Sequence, residues 1–263
     1  MTVEQYIRIL FCVLSFLLGL CFGSFANVII YRLPKGENIA TGGSHCTTCD
    51  YSLKWYDNIP VLSYIMLGGK CRKCKQKISP RYILVELLNG ALWLAFALLQ
   101  PRFGYVYSIC AMLASTALIC ACFIDLKHYF IPDSINVFIA VIGVIACFLD
   151  TNVSYVSRLL GLGFSIVFYG GFYLFYKLVF KREGLGFGDV KLMSACGLCF
   201  GLKNVFFGTL VASVAGAIIL SLISVIAKKE RLNEYPFAPF LGIGMIISAF
   251  LGEFLVNAYL SLF

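Results

Sequence analysis

Eight stretches of the chain are apolar for long enough, or nearly so, to form membrane-crossing helices, and each ends at charges, at Pro or at a Gly cluster. They run from Ile9 to Ile30, Ile83 to Leu99, Tyr105 to Ile124, Ser134 to Leu149, Leu159 to Phe180, Val190 to Leu202, Val205 to Ala227 and Phe237 to Leu260. A hydrocarbon core of about 30 Å takes roughly 17 to 25 helical residues, so Ser134 to Leu149 and Val190 to Leu202 are short enough to be re-entrant or tilted pieces. The first run exceeds the apolar part of a signal peptide and has no basic cluster ahead of it, which predicts an uncleaved span. Between the first two runs lie about 50 mostly polar residues, too few to build a self-sufficient core without a staple such as a metal. The pattern predicts an all-α polytopic membrane protein with about eight transmembrane helices and a small cytoplasmic insert. Its parts are a first helix (1–31), the insert (32–81) and a membrane-embedded remainder (82–263).

Composition excludes the two simplest alternatives. With 60% hydrophobic and 13% charged residues and a mean hydropathy of +0.90, the chain is too apolar for one water-soluble core and too poorly charged for disorder. The net charge of +8 is unevenly placed. Assigning alternate loops to alternate sides puts 17 of the 21 Lys and Arg on one side, nine of them between Arg32 and Arg81. Basic loops stay in the cytoplasm, which places the insert there and both termini outside. The Lys228, Lys229 and Arg231 cluster falls on the cytoplasmic side only if the short run from Val190 to Leu202 crosses. The excess of positive charge suits anionic lipid, and the expected partner is the bilayer with no nucleic acid.

The twelve Cys form two populations. Eight lie inside apolar runs, where a thiol packs as a small hydrophobe; these include Cys196 and Cys199, a CxxC with no second pair beside it. The other four occur in the insert as Cys46-Thr-Thr-Cys49 and Cys71-Arg-Lys-Cys74, the spacing of a zinc ribbon. Two disulfides are the alternative, but a cytoplasmic loop sits in a reducing compartment. Four thiolates leave no open coordination position, so zinc here is expected to be structural. His45, beside Cys46, is expected to be a surface residue.

An ionisable group at the edge of a span is costly unless paired or hydrated, so Glu86, Asp125, Asp189 and Glu253 each invite a role. Asp125 ends the third run and Asp189 begins the sixth, both on the cytoplasmic side by the charge argument. Two aspartates at one depth on different helices suit an aspartyl hydrolase: like charges a few ångströms apart cannot both ionise, so one carboxyl polarises a peptide carbonyl while the other takes a proton from water. The plainer reading is that each Asp caps a helix or pairs with Lys127 or Lys191. Gly184, Gly186 and Gly188 are expected to let the backbone turn sharply and approach another chain closely.

Taken together, these segments resemble the type IV prepilin peptidases, polytopic aspartyl proteases of the GxGD kind, over nearly the whole chain. The likeness rests on Gly23-Ser24-Phe25-Ala26-Asn27 through Tyr31-Arg32-Leu33-Pro34, the two CxxC pairs, and Ser79-Pro80-Arg81-Tyr82 with Val85-Glu86-Leu87. It continues through Asp125 with Ile131-Pro132-Asp133, Gly186-Phe187-Gly188-Asp189-Val190-Lys191-Leu192, and Pro236-Phe237-Ala238-Pro239-Phe240. The resemblance implies cleavage of the short basic leader of type IV prepilins or pseudopilins at the cytoplasmic face of the bacterial inner membrane. It implies Asp125 and Asp189 as the catalytic pair, Cys46, Cys49, Cys71 and Cys74 as metal ligands, and methylation of the new N-terminus with S-adenosylmethionine.

The remaining marked residues carry plainer expectations. Glu86 and Asn89 share a helix face and are expected to make a polar interhelical or a substrate contact. Asn27 and Arg32 are placed to orient the insert, Glu253 to pair with another polar group, Asp133 to cap a helix after Pro132, and His128 to lie at the surface. The competing functions are a proton-coupled transporter, which would show an internal repeat and a mid-membrane site, and a zinc docking module anchored by the spans. The sequence does not state an oligomeric state.

Overall fold

A computed structural model describes residues 2–181, 185–227 and 235–260, without the side chains of 223–227 and 253–260. Arg182, Gly184, the Lys228, Lys229 and Arg231 cluster and the Glu253 side chain lie outside the described residues. Among those described, the chain is helical, and its extended pairing is limited to two isolated bridges, His45 with Ser52 and Lys70 with Lys77. It divides into two compact units at Arg102.

The first unit is a helix pair carrying the insert. Helix α1 (Val3–Arg32) opens on a capping box in which the Thr2 hydroxyl accepts the Gln5 N–H and the Gln5 side chain accepts the Thr2 N–H. The insert holds one short helix, α2 (Leu62–Met66), and leads into α3 (Arg81–Leu98). Helices α1 and α3 meet backbone to backbone: a Cβ at Gly23 would lie 2.8 Å from the Glu86 Cα. That closeness lets short polar side chains reach across. The Asn89 amide donates to the Gly19 carbonyl at 2.7 Å and the Asn27 amide to the Tyr82 carbonyl at 3.0 Å. The interhelical contact expected of Asn89 is therefore present.

The second unit is all helix. Helix α4 spans Gln100–His128, but Gly104 breaks it with a φ of 74°, so the regular helix begins at Tyr105. Then follow α5 (Asp133–Leu149), α6 (Tyr155–Phe175) with one π-turn over Tyr176–Phe180, α7 (Phe187–Phe200), α8 (Leu202–Ala227) and α9 (Ala238–Leu260). Helix α7 packs between α5 and α6, while α8 packs on α6 and α9. The contact of α6 with α7 is again glycine to glycine, since a Cβ at Gly161 would lie 2.7 Å from the Gly197 carbonyl oxygen.

Helices α1 and α3 to α9 match the eight apolar runs, but among the described residues five stretches are long and apolar enough to cross a membrane by length and composition: Val3–Lys35, Arg81–Leu98, Gln100–His128, Tyr155–Phe180 and Leu202–Leu222. Asp133–Leu149 and the part of α9 whose side chains are described, Ala238–Gly252, are apolar but shorter. Helix α7, at 14 residues, spans about 21 Å at 1.5 Å per residue, less than a hydrocarbon core.

Arg158 is fully buried in an ion pair with Asp150 and donates to the Leu198 and Cys199 carbonyls at the end of α7. One expectation fails here. Asp133 does not cap α5. Pro132 occupies the cap in an extended conformation, and Asp133, the first helical residue, takes the Lys191 ammonium at 2.7 Å. A distant lysine outcompetes the local backbone for that carboxylate.

Candidate active site and metal centre

Asp125 and Asp189 belong to the same unit and come from different helices. Asp125 lies one turn before the end of α4, where the chain leaves the helix through Tyr129 at a φ of 58°. Its Oδ2 accepts the Ala238 N–H at 3.0 Å. Ala238 opens α9, so the orphan N–H groups of a helix start hold the carboxylate in place. The Pro236-Phe237-Ala238-Pro239-Phe240 segment, recognised in sequence without a stated role, thus supplies a backbone partner to an aspartate 113 residues away.

Asp189 sits in the first turn of α7, whose cap is Gly186, and its N–H donates to the Gly186 carbonyl at 3.0 Å. Neither Gly186 nor Gly188 has a positive φ, so the sharp-turn role expected of them is not the one they play. Their contribution is space. A Cβ at Gly186 would lie 3.2 Å from the Asp189 Oδ2, and one at Gly188 would lie 3.3 Å from the Ile131 Cβ. A side chain at either position would push on the carboxylate or on the loop after α4.

Both aspartates are nearly but not wholly covered, at 6% and 7% exposure, and the charge of Asp125 acts on Asp189. Among the described residues no ammonium or guanidinium pairs with either. Lys191 is held by Asp133 and lies over the Phe187 ring. Exposed Phe130 and Phe187 lie near them in the chain. His128 is exposed as expected.

The candidate metal centre is built by two similar turns. In each, the first cysteine N–H donates to the carbonyl five residues on (Cys46 to Tyr51, Cys71 to Gln76), and its carbonyl accepts from the residue four on (Asp50, Lys75). Asp50 and Lys75 both take left-handed conformations, with φ of 50° and 61°. The four sulfurs lie within 4.8 Å of one another, with Cys46 to Cys74 at 3.8 Å and Cys49 to Cys71 at 4.0 Å. A tetrahedral ion at about 2.3 Å from each sulfur needs edges of ~3.8 Å, so the residues fit a metal such as zinc. The backbone N–H groups of Thr48 and Cys49 bring the Cys46 thiol down to about 6. At Cys74 the Gln76 amide pulls the same way, but burial and the neighbouring cysteines outweigh it and leave the thiol at about 11. His45 lies outside the sulfur cluster.

Arg32 and Glu86 tie the insert to the helix pair. The Arg32 guanidinium gathers the carbonyls of Asn38, Thr41, Gly42 and Gly43 at 2.9 to 3.2 Å. Buried Glu86 accepts the Val61 N–H at 2.8 Å. The sequence reading missed the brace inside the insert, where buried Asp57 holds Arg72 at 2.7 Å and takes the Lys54 N–H and the Tyr51 hydroxyl. Its signal was an acidic residue in a markedly basic segment.

Two family profiles match the chain: the bacterial peptidase A24 N-terminal domain over residues 17–100 and the type IV leader peptidase family over residues 112–221. A prepilin leader peptidase/N-methyltransferase of Myxococcus xanthus is 38% identical over 81% of this chain and 63% of its own length. One of Pseudomonas aeruginosa is 31% identical over 95% of this chain and 93% of its own. A type 4 prepilin-like proteins leader peptide-processing enzyme of Escherichia coli is 34% identical over 89% and 91%. No solved structure matches.

Proposed function

The chain belongs to the type IV leader peptidase family, and from that membership we propose that it cleaves the leader of type IV prepilins or pseudopilins and methylates the N-terminus so exposed. It is a multi-pass protein of the inner membrane. The finer topology proposed is eight crossings, with α5, α7 and α9 counted beside the five and with the insert and both aspartates on the cytoplasmic side. The partners are the prepilin substrate and the lipid bilayer.

The observation that carries the reading is the pair Asp125 and Asp189: two buried carboxylates on separate helices of one unit, near enough for the charge of Asp125 to act on Asp189, without a cation among the described residues to neutralise either. In the proposed chemistry the ionised member removes a proton from water as its oxygen bonds to the scissile carbonyl carbon. The protonated member donates to the carbonyl oxygen, and collapse of the tetrahedral adduct sends a proton to the departing amine. The shared proton belongs to the pair. Ala238 fixes the rotamer of Asp125, and Gly186 and Gly188 leave room for Asp189 and the loop it faces.

Zinc is the metal proposed for Cys46, Cys49, Cys71 and Cys74. When bound it cross-links the two turns and supplies no reactive position. S-adenosylmethionine is the proposed methyl donor. A proton-coupled transporter accounts for paired carboxylates but not for the family match. The test is mass spectrometry of a candidate pilin's N-terminus after co-expression, which reports leader loss and added methyl mass together. An uncut, unmodified pilin would contradict both activities.

A further inference from the structure

The insert carries an apolar surface that its own fold leaves uncovered. Trp55 is 79% exposed, Met66 84%, Ile65 64% and Leu62 58%. Three of these lie on α2, and Trp55 opens the turn just before it. In a soluble segment so small, that much exposed apolar surface needs a partner.

Its position is set by a strained contact. The Pro60 carbonyl accepts the Leu62 N–H at 2.6 Å around Val61, whose φ of 64° and ψ of −51° are unfavourable for a β-branched residue. Glu86 takes the Val61 N–H and holds this turn. Glu86 lies five residues into α3, a candidate membrane span that starts at Arg81, which places its Cα about 7.5 Å along the helix axis from that start. The start of α2 is therefore pinned beside the flank of a spanning helix. Interfacial helices lie about 5 to 10 Å into the boundary between headgroups and acyl chains, the same depth.

Charge points to the same partner. Between Arg32 and Arg81 the chain has nine Lys and Arg against three acidic residues. Lys70, Lys73, Lys75 and Lys77 are exposed around the second cysteine turn. Anionic headgroups attract such a segment, and Trp at the boundary suits its amphipathic ring.

We propose that Trp55 and α2 form an interfacial anchor, immersed in the lipid boundary at the depth set by Glu86 and Val61, with the insert's lysines on anionic headgroups. The anchor would hold the cysteine turns against the bilayer surface, and it stands independently of the cleavage reading.

The chain has two Trp, so the fluorescence of the full-length protein minus that of a Trp55→Phe variant isolates Trp55, an exposed position that tolerates the change. The protein is reconstituted in phosphatidylcholine vesicles with and without phosphatidylglycerol, using lipids brominated high or low on the acyl chain and iodide in the water. The expected result is quenching of Trp55 about twofold stronger by shallow than by deep bromine, with little effect of iodide. Phosphatidylglycerol should strengthen the lipid quenching, and salt should reverse the gain. Leu62→Asp with Met66→Asp should transfer Trp55 to iodide. Quenching by iodide alone in the unaltered protein would overturn the proposal, as would shielding from both quenchers, which would mean that protein covers the surface. Lipid quenching indifferent to headgroup charge would overturn its electrostatic half.

Discussion

Asp150 and Arg158 form an ion pair from which solvent is excluded on both sides. Arg158 also donates to the Leu198 and Cys199 carbonyls, so the pair grips the far end of α7, the helix that begins beside Asp189. Breaking a buried pair by removing one partner costs about 3 to 5 kcal/mol, because the other charge is left buried alone. Arg158→Leu and Asp150→Leu are each expected to destabilise the protein by that order. The double variant should lose less than the two singles combined, with a residual cost for the α7 carbonyls that Arg158 no longer serves. Unfolding midpoints in detergent micelles check this; additive losses would contradict it.

The cysteine cluster predicts one zinc per chain. Replacing Cys49 or Cys71 by Ser should release the metal and open the insert to protease, while α1 and α3 stay packed through Asn27 and Asn89. Metal analysis of the purified protein measures the first effect and limited proteolysis the second. Purified protein without zinc would refute the assignment.

Asp57 predicts a pH dependence of defined sign. Burial by itself raises its carboxyl, but the bond from Arg72 and the Lys54 N–H outweigh burial and leave it below the ordinary carboxylate range. A folded-state value below the unfolded one stabilises the insert fully above the unfolded value, about pH 4, and the contribution is lost as pH falls through the lower folded value. Asp57→Asn should therefore increase hydrogen exchange around the Tyr51 to Asp57 turn at neutral pH. The difference from the unaltered chain should shrink as the pH drops toward about 2 to 3. A difference that persists unchanged into acid would contradict the brace.

Apolar length along the chain translated almost directly into helices, because lipid-compatible runs need no partner to be recognised. The cysteine turns were legible for a similar reason: a ligand spacing is local. Contacts between distant segments were not. The Ala238 N–H that holds Asp125 and the Lys191 that takes Asp133 lie 113 and 58 residues away from their partners, and only the folded chain brings them together. Local rules misled at Asp133, where a carboxylate after Pro read as a cap. At Gly186 and Gly188 the requirement is room, and a turn motif was the wrong physical reason. The depth of Glu86 in its span marked it as unusual, but its bond to Val61 depends on how the insert folds back.

The central claim is tested most directly by replacing Asp125 and Asp189 singly with Asn, which keeps shape and removes the ionisable group. Mass spectrometry of a co-expressed prepilin would then measure leader removal. Each variant should insert and fold yet lose cleavage by about 10²-fold to 10⁴-fold or more, the scale of a lost acid or base. Leader removal at an undiminished rate by either variant would contradict the two-aspartate account.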